Sequence, residues 1–338
     1  MSNKIIRSIC YFAQNYEASL ETKLEDLTKL FQKNWYAIQT TRVCFGNKEM
    51  IYHIDQIKDR ELYLSIWTLD FAQTMKYMDK FMQIPKMNMN LDLTNEIIWQ
   101  HHIDLLWDII ANWPEKTFCF TYVFNNKNSS PYFPSANYER DWFAIWLQST
   151  DLAENCPNLD QWFVNMKSVW EQIIFLVKEN KDFLGIDSSV APFFSGRGSL
   201  IDFIKRLGYT FDDSVLTNTY TSITKFIKEK NPKPVWLCGL MFPCLEDFDL
   251  TDEYEKGSFS IERNIYLSLH SGLGIDTYPI WIDEDKGKVL DILKLVQSLS
   301  NKYNKPLSVR FVSDGKTKIW QKTDFQNQYL KDTIIKKI

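Results

Sequence analysis

The sequence predicts an α/β protein built on a mostly parallel sheet, and three observations carry that expectation. Short apolar runs recur through residues 185–314: Gly185-Ile-Asp-Ser-Ser-Val-Ala-Pro192, Pro234-Val-Trp-Leu-Cys-Gly-Leu-Met-Phe-Pro-Cys-Leu-Glu-Asp247, Ser271-Gly-Leu-Gly-Ile-Asp-Thr-Tyr-Pro279 and Pro306-Leu-Ser-Val-Arg-Phe-Val312. Each stops at a polar or charged residue beside Gly or Pro, as a strand does. Longer helix-like segments separate them, so strand and helix alternate. In such sheets the residues just past the strand carboxyl ends usually make the site.

Taken in order, residues 5–12 read as a first strand and 16–33 as an amphipathic helix, with Leu20, Leu24, Leu27 and Leu30/Phe31 on one face. Residues 35–45 read as a strand, and 62–69 as a strand or short helix. Residues 85–180 are set apart by seven of the 12 tryptophans: Trp99, Trp107, Trp113, Trp142, Trp146, Trp162 and Trp170. Within them 118–124 alternates like a strand and runs into the turn-forming Asn125-Asn-Lys-Asn-Ser-Ser-Pro-Tyr-Phe-Pro134. Residues 138–147 and 159–178 read as helices. Trp142 and Trp146, four apart, then share a helical face; core packing is the plain reading, and an aromatic interface the alternative. The basic tail 331–338 is expected to fray.

Bulk properties narrow the function classes. The 338 residues suit one α/β barrel domain over 1–330, and 45% hydrophobic with 15% aromatic residues fills a large core. A net charge of -4 leaves no basic surplus for nucleic acid. No apolar run approaches the ~20 residues that span a bilayer, so a soluble protein is expected. Six cysteines, at 10, 44, 119, 156, 238 and 244, show no Cys-x-x-Cys pair and read as reduced thiols. Only 11 glycines occur, about 3% of the chain against a usual ~7%.

The order and spacing of several segments resemble the domain of unknown function 711 family. They are Ser189-Val-Ala-Pro-Phe193, Cys238-Gly-Leu-Met-Phe-Pro243, Leu245-Glu-Asp247, Gly272-Leu-Gly-Ile-Asp276 and Lys305-Pro-Leu-Ser-Val-Arg310, with Ile6-Arg-Ser-Ile9 and Ile38-Gln-Thr-Thr-Arg-Val43 near the N-terminus. The resemblance covers both ends well and about 50–180 poorly. It implies a barrel of two half-barrels like the ten-stranded barrel of pyruvate formate-lyase, here with an aromatic-rich helical elaboration, and no agreed reaction. Relatives carry a Gly-Pro-Gly-Thr-like loop after the helix ending near Leu207; here the stretch reads Tyr209-Thr-Phe-Asp-Asp-Ser-Val215. That departure weakens the expectation of retained catalysis. The N-terminus, with Lys4 and Arg7 and no acid before Glu17, fits a transit peptide or the first strand. The family match begins there, which favours the strand and a cytoplasmic protein over a mitochondrial one.

The candidate site follows from strand ends. Asp187, Glu246, Asp247 and Asp276 each follow an apolar run, and carboxylates converging at a barrel mouth could bind a divalent metal or share a proton. Equally, Asp187 and Asp276 suit helix caps or turns. Arg42 and Arg310 lie in the two matching strands. A buried arginine must pair, either with an anionic ligand or with Asp187, Glu246 or Asp276 as internal scaffolding. Other signals are weaker. Nothing places His270 beside Cys238 or Cys244, so a Cys–His pair is disfavoured. His101 and His102 point about 100° apart on a helix and cannot easily share a metal. Arg206-Leu-Gly-Tyr209 is a poor match to a glycyl-radical motif and suits a helix C-cap. Gly196-Arg-Gly198 reads as a turn into a helix.

The leading expectation is therefore a small-molecule-binding α/β barrel using a carboxylate and arginine cluster on an anionic substrate. The alternative is a catalytically degenerate barrel retained as a scaffold, as a homo-oligomer or within a larger assembly.

Overall fold

The computed structural model describes residues 4–235 and 237–338; Trp236, inside the strand expected from Pro234, lies outside the described residues. The strands are β1 (Lys4–Ala13), β2 (Tyr36–Ile38), β3 (Thr41–Phe45), β4 (Tyr63–Ile66), β5 (Met87–Asp92), β6 (Phe120–Phe124), β7 (Trp142–Leu147), β8 (Phe183–Asp187), β9 (Gly274–Pro279) and β10 (Leu307–Val312). The α-helices are α1 (Ala18–Lys33), α2 (Phe71–Gln83), α3 (Gln100–Asn112), α4 (Leu159–Val177), α5 (Leu200–Arg206), α6 (Phe211–Val215), α7 (Thr219–Lys230), α8 (Phe248–Lys256), α9 (Ile261–His270) and α10 (Lys286–Tyr303). The chain is thus mixed α/β, and it divides into two compact units.

Unit 1 comprises Met1–Asn90, Lys127–Val190 and Ile223–Gly239. Its strands run β8-β7-β1-β3-β4-β5, with β2 also pairing β1. Only the β1–β7 pair is antiparallel among these. Strand β1 is buried on both faces along most of its length, which is why it reads as a continuous apolar run. Helix α1 buries Leu20, Leu24, Leu27 and Phe31, the predicted stripe. The stretch 35–45 breaks into β2 and β3 around Gln39 and Thr40, and 62–69 holds the strand β4.

The helix expected over 138–147 is instead the strand β7. Residues four apart share a face in a strand as well as in a helix, so the Trp142–Trp146 spacing could not separate them. Phe143, Ala144, Ile145, Trp146 and Leu147 are all buried, and a strand wedged between β1 and β8 accepts such a run. Trp162 and Trp170 of α4 are also core residues.

Unit 2 comprises Leu91–Asn126, Ala191–Ser222 and Leu240–Ile338. Strand β10 lies between β6, antiparallel, and β9, parallel. Among the described residues, strand hydrogen bonds close into a ring in neither unit. Gly274 has φ +115, and a Cβ there would lie 2.0 Å from the Ser308 carbonyl oxygen. Only glycine lets β9 approach β10 so closely. Gly208, at φ +89, follows α5 in the left-handed cap position expected of it.

Three local expectations change. Among its described residues, the run 234–247 forms no regular strand. It contributes isolated bridges, Pro234 to Ile186 in unit 1 and Leu240 to Gly272 and Pro243 to Asp276 in unit 2. Its prolines cannot donate to a ladder, and Cys238 sits at φ +37. The stretch 209–215 is not a loop but carries α6, capped by the Thr210 hydroxyl on the Asp213 amide. The tail 331–338 is not frayed: Thr333, Ile335 and Ile338 are buried, and the Lys331 amide donates to the Leu245 carbonyl at 2.9 Å. Two of its lysines reach acceptors on α8, Lys331 the Asp252 carboxylate and Lys336 the Glu255 carbonyl.

Candidate functional site

A buried charged group of unit 2 joins β9 and β10 to Glu246. Arg310, on β10, donates from Nε to Asp276 Oδ1 at 2.7 Å and from Nη2 to Glu246 Oε1 at 2.6 Å. Its Nη1 donates to the Phe118 carbonyl at 3.1 Å, and the guanidinium stands 4.9 Å from the centre of the Phe118 ring. Exposure is 5% for Arg310, 5% for Glu246 and 2% for Asp276. Charge-assisted bonds of this length are strong ones. One guanidinium shared by two carboxylates leaves the triad with a formal charge of about -1.

A register break makes the triad possible. Val309 pairs with Ile275 and Phe311 with Tyr278, so Asp276 and Thr277 together face Arg310. Such a bulge re-aims side chains. Thr277 carries the cost, holding φ +40 although it is β-branched. The surroundings impose that shape: Cys244 donates its amide to the Asp276 carbonyl at 3.0 Å, and Leu245 its amide to the Thr277 hydroxyl at 3.4 Å. Backbone strain of about 1–3 kcal/mol survives only when neighbours over-determine it.

Asp247 adjoins the triad in sequence but has other partners. It caps α8 through the amides of Asp249 and Leu250, and its Oδ2 accepts the Leu200 amide at 3.1 Å. Burial pushes its carboxyl up to about 7, against the pull of the Ser199 hydroxyl and the amides. Its contacts describe a helix cap, the role that the sequence suggested for Asp187 and Asp276 rather than for Asp247.

Two expected site residues belong to unit 1. Asp187 ends β8, fully buried, and Oδ1 accepts the Ser189 amide at 2.8 Å. Burial pushes it up to about 6. Beside it Ser188 donates to Cys238 Sγ, and Asn231 donates to Ser188 and to the Ile186 carbonyl. Arg42 lies near the start of β3 rather than its end. Its Nε donates to the Thr40 hydroxyl at 3.0 Å, and the guanidinium lies 4.7 Å from the Phe133 ring centre and 5.1 Å from that of Tyr63. Glu246, Asp276 and Arg310 thus meet within one unit, whereas Asp187 and Arg42 are held by local partners of the other.

The remaining candidates have structural surroundings. All six cysteines are buried. Burial pushes Cys238 up to about 12, and a thiol so held is a poor nucleophile at neutral pH. His102 accepts the Trp99 amide at the start of α3 and contacts Glu96. Among the described residues no three His, Cys, Asp or Glu side chains are grouped to hold a metal ion, and no helix is long and apolar enough to cross a membrane.

Sequence reasoning missed a cleft of about 740 Å³ in unit 2. It opens at the carboxyl end of β10, where Val312, Ser313 and Asp314 line it together with Phe118, Phe325 and Tyr329. Phe118 joins it to the triad, since its carbonyl and ring both touch Arg310. The Asp314-Gly-Lys turn directly after a strand was a usable signal. The 324–330 side of the cleft carried none.

This geometry describes a mixed α/β protein with a buried arginine–dicarboxylate triad beside a cleft at a strand carboxyl end. The chain belongs to the family described as Uncharacterised ACR, domain of unknown function 711, whose profile matches residues 115–326. The match holds the triad and ten of the fifteen residues that line the cleft, and leaves out Pro114 and 327–330, Tyr329 among them. It also takes in 115–180, where the sequence resemblance was thin, and leaves out the two N-terminal segments. No curated protein matches the chain.

Proposed function

We propose that this protein binds a small molecule in the cleft at the carboxyl end of β10, with the Arg310 triad as the fixed floor behind Phe118. The carrying observation is the contact of Phe118 with both cleft and guanidinium. A rigid charged group next to a concave, half-apolar wall is the usual make-up of a ligand site. Catalysis on the ligand would fall to Glu246 or Asp276 as acid or base, each already oriented by Arg310. The two units, each with its own strands and helices, support the two half-barrels implied by the family resemblance.

The scaffold reading has one observation in its favour. Nε, Nη1 and Nη2 of Arg310 all donate to protein acceptors, which is how internal scaffolding holds an arginine. Thermal-shift screening of the full chain against small metabolites and divalent cations, beside a Phe118→Leu variant, separates the two. Binding at about 100 times Kd stabilises by about 2.7 kcal/mol, so the wild-type midpoint rises and the variant loses the rise. Absence of any shift from well-folded protein favours the scaffold.

A further inference from the structure

The cleft's charge and its rings point to a ligand class opposite in sign to the one the sequence suggested. We propose that the cleft of unit 2 takes an organic cation, an amine or quaternary ammonium group lying against Tyr329 and Phe325. This inference rests on the reading of the cleft as the ligand site.

Charge is the first argument. Three carboxylates, Glu115, Asp314 and Asp324, line the cleft, and Lys316 is the one basic residue among its described lining residues. Lys316 is already bridged to Asp324, Nζ to Oδ2 at 2.8 Å. With that pair neutralised, Asp314 and Glu115 remain. Asp314 shapes the turn after β10, accepting the amides of Lys316, Thr317 and Asp324. Partial burial works against its ionisation, but the Thr317 hydroxyl and these amides outweigh it and hold the carboxyl below its ordinary range. It is therefore charged at neutral pH. The triad behind Phe118 adds a further negative formal charge. An anion entering here would meet carboxylates and no uncommitted cation among the lining residues; a cation would meet the reverse.

The rings are the second argument. Tyr329 is fixed from behind by Phe193, ring centres 5.6 Å apart, and stacks with Phe194 at 6.5 Å. Phe194 holds φ +61, an outlier for a bulky residue. Its amide donates to the Glu246 carbonyl and its carbonyl accepts from the Phe248 amide, so that backbone shape is imposed by the segment carrying the triad. Phe325 packs on Leu245, Val312 and Leu330. Rigid aromatic faces in a negative cleft attract a desolvated cation.

The test uses the full chain, with calorimetric titration and hydrogen exchange over 313–330. The probes are spermidine and tetramethylammonium against citrate and inorganic phosphate. Both cations are expected to bind and to protect 313–330, with spermidine weakening as salt rises. Tyr329→Leu should weaken tetramethylammonium about three- to tenfold. Glu115→Gln, at an exposed position that the fold tolerates, should weaken spermidine about twofold to fivefold. Citrate or phosphate binding with protection of 313–330, while the cations stay silent, overturns the cation and leaves the cleft as the site. Protection elsewhere, or no binding by any probe, overturns both.

Discussion

Replacing Arg310 by methionine tests the triad most directly, because it removes the shared counter-charge, together with the Nη1 bond to the Phe118 carbonyl and the contact with the Phe118 ring. Methionine keeps much of the volume, so the cavity term is small. What remains is two carboxylates, each at least 95% buried by surface, with their Nε and Nη2 donors gone. Removing one partner of a buried ion pair costs about 3–5 kcal/mol, and here one substitution orphans two acids. The expected loss near neutral pH is therefore about 5 kcal/mol, a large share of the 5–15 kcal/mol that holds an ordinary domain. The loss should shrink towards about pH 5, where the orphaned carboxyls escape by taking up protons. Adding Glu246→Met and Asp276→Leu should recover most of it, since a hydrophobic replacement of a whole buried pair is often neutral. Denaturant unfolding followed by tryptophan fluorescence at both pH values reads all of this. A loss under about 1 kcal/mol, or one indifferent to pH, refutes the claim that Arg310 neutralises both acids.

Other outcomes follow from the same geometry. Burial raises Asp247 from its ordinary range to about 7, so the folded state holds a proton that the unfolded state has released. Its stabilisation is fully present below about pH 4 and falls by roughly 1.4 kcal/mol for each step of one in pH until about pH 7. In Asp247→Asn, titration of unfolding free energy from acid to neutral pH should lose that downward slope; an unchanged slope contradicts the assignment. Asp187→Asn should flatten a similar decline that ends at about 6. Gly274→Ala forces a Cβ to 2.0 Å from the Ser308 carbonyl oxygen and pairs it with φ +115; a loss of at least about 3 kcal/mol is expected in chemical denaturation, and a neutral effect would mean β9 can shift away. Deleting 331–338 exposes the sites of Ile335 and Ile338 and should cost at least about 2 kcal/mol of stability in the same assay.

Much of the fold was legible because it depends on local pattern. The stripe of α1, the strands β1, β9 and β10, the C-cap glycine at 208 and the alternation of strand and helix all follow from spacing and from residues with special backbone freedom. The pairing of Arg310 with Glu246 and Asp276 was named among its alternatives, since a buried arginine requires carboxylates. Which carboxylates, and whether a ligand or the protein supplies them, lay outside any local rule.

Tertiary structure decided the rest, for reasons that can be stated residue by residue. An apolar run such as 142–147 is equally a buried strand or a buried helix until its neighbours are in place, and β1 and β8 made it β7. The tail 331–338 looks like a solvated basic end until Leu245, Asp252 and Tyr254 offer it partners. The cleft depends on three segments far apart in sequence, 114–118, 312–316 and 324–330, and the triad on a bulge at Asp276 and Thr277 that no composition announces. Sequence alone determined which side chains are apolar and which carry charge, because hydrophobicity and ionisation belong to single side chains. Which of them meet is a property of the folded chain, because contact depends on the path between them.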